Sequence, residues 1–418
     1  MSSLRLLALA LVAAAGLWLA PVGAASGWCG TGESTVDRPD VVAGPQVHAI
    51  YAVPADGADN FAQVAGAMAD DSVSIDTWWR SQDPTRTVRF DLAAFPGCTG
   101  IDISFVRLTE TGAALQGDVS KVFNTVADEL AGGLGFGSDW KRYLVYYDGP
   151  VPQTNICGTG AGDFGKGSGI AIVWLGGCTS VPTDSVAAHE LLHSLGALPD
   201  GAPHVCPNSV GHPCDSPTDV LYPTTSGMPL ASAVLDFGHD DYYAHSGTWN
   251  DIQDSFWLHR LDLPQVALTV GLQGAGTVTS DVPGGGCAAP SCVSEWDPGS
   301  HVTLNAVPGA ATRFIGWQGG CSGSGDCSVL VDAPLPLTAV FGPLQVPVRV
   351  STTGRGKVVC LPACSRTFAA GTSLSVRAVP ARGWVFKGWS GACTGRRLVC
   401  APATNAAVAV RATFKKAR

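Results

Sequence analysis

One short stretch near the middle of the chain, A-A-H-E-L-L-H-S-L-G at residues 187–196, carries side chains that could bind a metal and activate water. Residues four apart lie on one face of an α-helix, so His189 and His193 can direct two imidazoles at one point. Zinc takes such nitrogen ligands at about 2.0–2.1 Å, and the neighbouring Glu190 can remove a proton from a zinc-bound water. The stretch therefore predicts a zinc centre with Glu190 as general base.

The flanking residues predict where this helix begins and ends. Asp184 or Ser185 can cap its start, and Gly196 is a natural stop. A catalytic zinc site keeps one coordination position open and so uses three protein ligands. The third ligand is therefore expected beyond Gly196.

The motif H-E-x-x-H-x-x-G resembles the start of the metzincin zinc-peptidase signature, H-E-x-x-H-x-x-G-x-x-H. The sequence departs from that signature at its last position, where Pro199 stands in place of the third histidine. The longer stretch, which ends in A-P-H at residues 202–204, resembles a pattern in secreted actinobacterial metzincin-like proteins. That resemblance implies His204 as the third ligand, while Asp200 stays open as an alternative because some metzincins use an aspartate.

The resemblance extends to a turn downstream of the zinc motif. The segment D-V-L-Y-P at residues 219–223 is similar to the metzincin Met-turn, with Leu221 where methionine is expected. That methionine supports the site without binding metal, so leucine is a tolerable replacement. Tyr222, which follows Leu221 in this segment, is a candidate for stabilising the oxyanion.

Other polar residues after the zinc motif have less specific spacing. Asp236, Asp240 and Asp241 could bind a structural calcium ion, which takes oxygen ligands, although turn formation is the favoured interpretation. A solvated or core role is expected for the remaining histidines of this region, which are His212, His239 and His245.

Upstream of the motif, strand-like and helix-like segments alternate. Strands are predicted at residues 47–53, 87–92, 101–106, 143–147 and 169–175, and helices at 59–69 and 119–134. This order implies an α/β fold around a mostly parallel sheet, and it is similar to the N-terminal half of a metzincin-like peptidase. The glycine-rich segment 158–169 nearly fits a phosphate-binding loop, but Gly167 replaces the required hydroxyl. A flexible loop that could border the substrate cleft by an edge strand is therefore predicted.

The start of the chain and its cysteines indicate export. An apolar run at residues 6–20 follows Arg5 and precedes small residues, which is typical of a signal peptide spanning 1–25. All 14 cysteines lie after it, and no C-x-x-C pair is present, so disulfide bonds in an oxidising compartment are expected. Cys206 and Cys214 bracket a short loop just after His204, where a bridge could hold the third ligand.

The last third of the chain repeats itself. F-I-G-W-Q-G-G-C at 314–321 matches F-K-G-W-S-G-A-C at 386–393 with an offset of 72. These marks resemble bacterial repeat domains of surface and secreted proteins, which implies two small all-β units stapled by disulfides. The expected local pairs are Cys287–Cys292, Cys321–Cys327, Cys360–Cys364 and Cys393–Cys400. The predicted organisation is therefore a signal peptide (1–25), a metzincin-like zinc peptidase domain (26–262), and β repeats at 267–342 and 345–418.

Charge is distributed unevenly between these parts. Residues 26–264 carry a net charge of −19, whereas residues 345–418 hold 13 basic side chains and no carboxylate. Such a basic segment is attracted to polyanions, for example anionic cell-wall polymers, although an ordinary soluble surface or docking on the chain's own acidic part also fits.

Two functions from different classes follow from these observations. The first is a secreted zinc metalloendopeptidase in which His189, His193 and His204 hold zinc and Glu190 acts as base and then as acid. The alternative is a peptidase-like protein without activity that attaches to cell wall or other polyanions through its C-terminal repeats. The departures from the metzincin signature at Pro199 and Leu221 are the reason to retain the alternative.

Overall fold

The computed structural model describes residues 28–30, 32–153, 155–198, 201–224, 227–364 and 367–417. The predicted signal peptide and Asp200 lie outside these described residues. The chain divides into two compact units, one formed by residues 28–38 and 47–258 and the other by residues 39–46 and 259–417.

The first unit combines three helices with a set of mostly short strands. The helices are α1 (Phe61–Gln82), α2 (Val119–Gly133) and α3 (Thr183–Ser194). The strands are β1 (Gln46–Val53), β2 (Arg86–Val88), β3 (Leu92–Phe95), β4 (Cys98–Ile101), β5 (Ile103–Arg107), β6 (Lys141–Tyr147), β7 (Gly158–Ala161), β8 (Gly169–Trp174), β9 (Val205–Cys206) and β10 (Ser209–Pro213). Strand β11 (Leu258–Arg260) begins at the last residue of this unit.

A five-stranded sheet in the order β5-β1-β6-β8-β7 forms the centre of this unit. Strand β1 pairs in parallel with β5, and β6 pairs in parallel with β8, while β7 is antiparallel at one edge. Every residue of β1 and β6 is buried, as expected for strands covered on both faces. The α/β architecture with a mostly parallel sheet, predicted from the alternation of segments, is therefore confirmed.

Helices α1 and α2 cover the sheet with apolar side chains. Val122, Val126 and Leu130 of α2 share a buried cluster with residues of β1, β6 and β8. In α1, Trp78 and Trp79 are almost wholly buried, and the Trp78 indole donates to the carbonyl of Ala233. The tandem tryptophans therefore belong to the core and form no exposed ligand platform.

Helix α3, which carries the H-E-x-x-H motif, begins one residue earlier than its predicted caps. Pro182 precedes the first turn, and no side chain caps it, so neither Asp184 nor Ser185 has the capping role expected from the sequence. The end of the helix agrees with the prediction, because Gly196 adopts a φ of +83°, a conformation that glycine tolerates best.

The segment after β7 is tied to the core by one buried arginine. The Arg142 guanidinium donates to the backbone carbonyls of Asp163, Gly165 and Gly167, and it lies 3.9 Å from the ring centroid of Trp257. Three carbonyls bound to one buried cation oppose loop motion. The predicted edge strand is therefore present as β7, while the prediction of a flexible loop disagrees with these contacts.

The second unit contains two small β sandwiches built to the same plan. The first has strands β12 (Val266–Gln273), β13 (Gly276–Ser280), β14 (Ser291–Trp296), β15 (Ser300–Pro308), β16 (Thr312–Gly319), β17 (Cys327–Val331) and β18 (Leu335–Pro343). The second has strands β19 (Gln345–Thr353), β20 (Gly356–Leu361), β21 (Thr367–Ala369), β22 (Ser375–Pro380), β23 (Trp384–Gly391), β24 (Val399–Cys400) and β25 (Val408–Lys416). Four-stranded sheets β14-β12-β18-β16 and β21-β19-β25-β23 face three-stranded sheets β13-β15-β17 and β20-β22-β24.

All cysteines of the chain form disulfide bonds. The four local pairs expected in the repeats are present, together with Cys206–Cys214, Cys29–Cys98 and Cys157–Cys178. Such complete pairing indicates an extracellular protein, because reducing compartments keep thiols free. In the part of the chain that the structure describes, no helix is both long and apolar enough to cross a bilayer.

Candidate metal centre

Three imidazoles converge beside α3, and the third comes from His212. The Nε2 atoms of His189 and His193 lie 3.2 Å apart, and the Nε2 atom of His212 lies 3.2 Å from the first and 3.3 Å from the second. Tetrahedral zinc with bonds of about 2.0–2.1 Å places two of its nitrogen ligands about 3.3–3.4 Å apart. The triangle of nitrogen atoms therefore has the size that one zinc ion needs.

In two of these imidazoles the opposite ring nitrogen, Nδ1, lies beside a hydrogen-bond acceptor. Nδ1 of His189 lies 2.7 Å from the carbonyl oxygen of Val220, so it must carry the proton and donate. Nδ1 of His212 lies 3.3 Å from the carbonyl oxygen of Ser209 and 3.0 Å from its hydroxyl. With the proton on Nδ1 in both rings, the Nε2 lone pairs point at the shared centre, which is the usual outer-shell arrangement of zinc-binding histidines.

Burial keeps these imidazoles neutral and thus able to bind a cation. It lowers the pKa of His189 to about 4, with the His212 ring adding to the effect. Burial and the two neighbouring rings lower the pKa of His193 well below its ordinary value. The pKa of His212 is also lowered, again by burial. Three unprotonated nitrogens facing one another at these distances repel through their lone pairs, and a bound cation would relieve that repulsion.

A disulfide-closed hairpin brings His212 to the helix. Strands β9 and β10 pair antiparallel, and the Cys206–Cys214 bridge closes the eight-residue separation between them. Gly211, with a φ of +93°, turns the backbone immediately before His212, and a Cβ added to it would lie 3.7 Å from the His193 ring. The hairpin therefore returns the chain to α3 at a position 19 residues beyond His193.

The structure does not bring His204 into this centre, which corrects the prediction that it is the third ligand. Its backbone N–H and its Nδ1 both contact Asp241, at 2.9 and 3.2 Å, and its side chain is 39 % exposed. It belongs to a separate group of polar atoms formed with Asp215, Asp240 and Asp241. The A-P-H triplet enters the hairpin, but the histidine that reaches the helix comes eight residues later. His212, for which a solvated or core role was expected, instead joins His189 and His193 in a group that could hold a metal ion.

Glu190 lies between the first two histidines in sequence and is only 6 % exposed. Burial raises the pKa of its carboxyl group to about 8, while a backbone hydrogen bond from Gly160 acts in the opposite direction. A cation beside a carboxyl group favours its ionised form, so metal binding by the imidazoles would lower this pKa. The pKa of this carboxyl group therefore depends on whether a cation is bound by the imidazoles.

Glycines in β7 allow α3 to pack closely against the edge of the sheet. A Cβ added to Gly158 would lie 2.4 Å from Cγ of Glu190, and one added to Gly160 would lie 2.3 Å from the Glu190 carbonyl oxygen. Both distances are shorter than real side chains tolerate. These glycines therefore set the approach of the helix, and with it the position of the Glu190 carboxyl group.

The predicted turn at residues 219–223 supports His189 from behind. The Asp219 carboxylate accepts the N–H of Leu221 at 2.7 Å and the hydroxyl of Tyr242 at 2.9 Å. This fixes the turn whose next residue, Val220, accepts the His189 proton. Leu221 is fully buried. Tyr222 is partly exposed and lines a small cavity next to Val220, so its role in stabilising an oxyanion stays a prediction.

In the aspartate-rich segment after this turn, the Asp236 carboxylate accepts hydrogen bonds from nearby backbone N–H groups. The Asp236 carboxylate accepts the N–H groups of Asp241, Tyr242 and Tyr243, the last at 2.6 Å, and Asp236 itself has a φ of +56°. This is the turn-forming role that the sequence favoured over calcium binding. Asp240 and Asp241 instead group with His204.

Comparisons with known proteins characterise the second unit. Residues 267–343 and 346–418 each match the family model of the divergent InlB B-repeat domain. The chain thus ends in two divergent InlB B-repeat domains. No curated protein matches the chain.

Similarity to solved structures is remote. Wild-type OgpA from Akkermansia muciniphila is 9% identical over 91% of this chain and 99% of its own, with a TM-score of 0.26. The major pilin from Streptococcus pyogenes is 8% identical over 37% of this chain and 99% of its own, with a TM-score of 0.17. Superpositions this loose carry no argument about activity.

Proposed function

We propose that the α/β unit is a zinc-dependent hydrolase of peptide bonds and that the protein is secreted. The observation that carries the proposal is the triangle of Nε2 atoms of His189, His193 and His212. The buried Glu190 follows His189 on the same helix. Three neutral nitrogen ligands with one position left open, next to a carboxyl group, are the donor set of catalytic zinc sites. The resemblance of the helix motif to metzincins supports peptides as the substrate class.

The residues would divide the chemistry as follows. His189, His193 and His212 hold the metal, which when bound supplies Lewis acidity toward water and the scissile carbonyl. Glu190 takes a proton from the attacking water as the new C–O bond forms. It then delivers that proton to the leaving amine nitrogen as the C–N bond breaks. Tyr222 is a candidate for hydrogen bonding to the carbonyl oxygen as it becomes negative.

Cleavage of casein by the purified protein tests this proposal. Activity should disappear with a zinc chelator and return when zinc is added, and Glu190→Gln should lower kcat at least about 100-fold, because a general acid–base group contributes 10²–10⁴-fold. The zinc content of Glu190→Gln should stay near that of the unmodified protein, since Glu190 is not a ligand. Undiminished activity both with the chelator and in Glu190→Gln would exclude this mechanism. Zinc bound without any cleavage would favour the alternative of a peptidase-like binding protein.

A further inference from the structure

The second repeat carries a band of exposed cations on one face of its four-stranded sheet. The buried residues Val348, Val410, Ala412 and Phe414 turn toward the three-stranded sheet and form the core. Because side chains alternate along a strand, their neighbours point outward. The outward residues include Arg349 on β19, Lys387 on β23, and Arg411 and Lys415 on β25, and all four are exposed. We call these four residues the cationic face.

Strand register places the cationic face across three adjacent strands. Arg411 pairs with Ser351 on one side and with Ser390 on the other, and Lys415 pairs with Val385. Neighbouring strands are about 4.8 Å apart, and residues four apart on one strand are separated by about 13 Å. The charges therefore form an extended band that does not converge on one point, which suits a polymer better than a small ligand.

The first repeat supplies an internal comparison on the same scaffold. By strand register, the four positions correspond to Thr269, Ile315, Thr338 and Gly342, none of which is charged. The shared fold therefore does not require cations at these positions. The second repeat also contains no aspartate or glutamate, so no carboxylate within it can neutralise them.

We propose that the cationic face binds a linear polyol-phosphate chain, a polymer with one phosphodiester per repeating unit. Arginine, lysine and hydroxyl side chains are the groups that hold phosphate backbones in proteins, and Ser351 and Ser390 flank Arg411. Single-stranded nucleic acid would need exposed aromatic rings for base stacking. Trp389 is buried in the core, and Trp384 and Phe386 are partly buried and pack against it. A bilayer would need an apolar surface to insert, and Val385 is an isolated apolar residue of the face.

Binding of the full-length protein to poly(glycerol phosphate) tests this proposal by titration at several salt concentrations. Four phosphate contacts on a single chain predict a slope of log K against log salt of about −3, or about a 50-fold weakening between 50 and 200 mM salt. A face variant with Arg349→Thr, Lys387→Thr, Arg411→Thr and Lys415→Thr should bind at least tenfold more weakly and with a much flatter slope. Circular dichroism confirms that the variant remains folded.

A control variant removes the same charge from elsewhere in the repeat. It carries Arg355→Thr, Lys357→Thr, Arg377→Thr and Arg382→Thr, which lie on the three-stranded sheet or in adjoining turns and are exposed. This variant should bind within about threefold of the unmodified protein. Equal losses in the two variants would show that net charge alone acts and would overturn the proposal.

The remaining arms identify the polymer. Polygalacturonate offers carboxylates, single-stranded DNA adds bases to a phosphodiester chain, and phosphatidylglycerol vesicles offer phosphates on a membrane. Each of these three probes should bind more weakly than poly(glycerol phosphate). The face variant should also lose less of its affinity for each probe than it loses for poly(glycerol phosphate). Tighter binding of any of these three probes through the cationic face would refute a polyol-phosphate ligand.

Discussion

Replacing His212 with alanine should abolish most of the stabilisation that zinc gives to the α/β unit. A ligand that binds only the folded state stabilises it by RT ln(1 + [L]/Kd), which is about 4 kcal/mol at a free zinc concentration 1,000 times Kd. In a unit of roughly 220 residues, each kcal/mol moves Tm by about 2–4 °C. Zinc should therefore raise the Tm of the unmodified protein by about 8–16 °C.

The geometry of the centre sets the expected loss in His212→Ala. Losing an outer-shell partner of a ligand typically weakens metal binding 10–100-fold, and losing a ligand outright costs more. A site 100-fold weaker retains about 1.4 kcal/mol at the same zinc concentration, so the shift in Tm should fall to a third or less. Without zinc the variant should be about as stable as the unmodified protein. The Nε2 atom of His212 lies 3.2–3.3 Å from those of His189 and His193, and its removal relieves their repulsion.

Differential scanning calorimetry with and without zinc measures both quantities, and His204→Ala is the matched control. His204 lies on the same loop, but its ring contacts Asp241. Its replacement should leave the zinc-dependent shift intact. The opposite pattern, a full shift in His212→Ala and none in His204→Ala, would refute the assignment of the third ligand and restore the interpretation based on the sequence.

Two further predictions concern the hairpin and the support of α3. Replacing both Cys206 and Cys214 by serine should leave the α/β unit folded but weaken zinc binding, because the bridge limits the motion of His212. A competition assay with a chromogenic chelator measures the zinc affinity, and an unchanged affinity would contradict this prediction. Burial raises the pKa of Asp71, whose carboxylate accepts the hydroxyl of Thr183, to about 7. The folded state therefore holds a proton that the unfolded state has lost, so the free energy of unfolding should fall between about pH 4 and 7, by up to about 4 kcal/mol. Measuring Tm across that range tests this with Asp71→Asn. The Tm of the variant should equal that of the unmodified protein near pH 4 and exceed it above pH 7. A difference in Tm that does not change with pH would refute the argument.

The sequence predicted the parts of the centre that depend on local geometry. His189 and His193 share a helix face through spacing alone, and Glu190 follows from the same motif. The third imidazole of the group depends on the path of a loop, and no local periodicity encodes that path. One clue was present: Gly211-His212 lies inside the loop that Cys206 and Cys214 close, and a short disulfide loop is constrained to return toward its start.

The repeats were predictable for a different reason. Their self-similarity fixes which positions correspond, and the short cysteine spacings leave local bridges as the simplest pairing. The position of Arg411 within the cationic face could not be obtained in this way. It depends on which strands are neighbours, and β25 lies between β19 and β23 although β19 is distant in sequence.

The glycines near residue 160 show how a packing requirement can be mistaken for a ligand motif. Gly158 and Gly160 lie two residues apart in β7, so they occupy one face of the strand. A Cβ added to either of them, or to Gly162, would collide with α3. A phosphate-binding loop uses glycines to approach a ligand, whereas here they let the helix approach the sheet edge. That approach lets the Gly160 backbone bond with Glu190. The glycine pattern and the H-E-x-x-H motif therefore serve one purpose, because the strand holds the carboxyl group while the helix and the hairpin hold the three imidazoles.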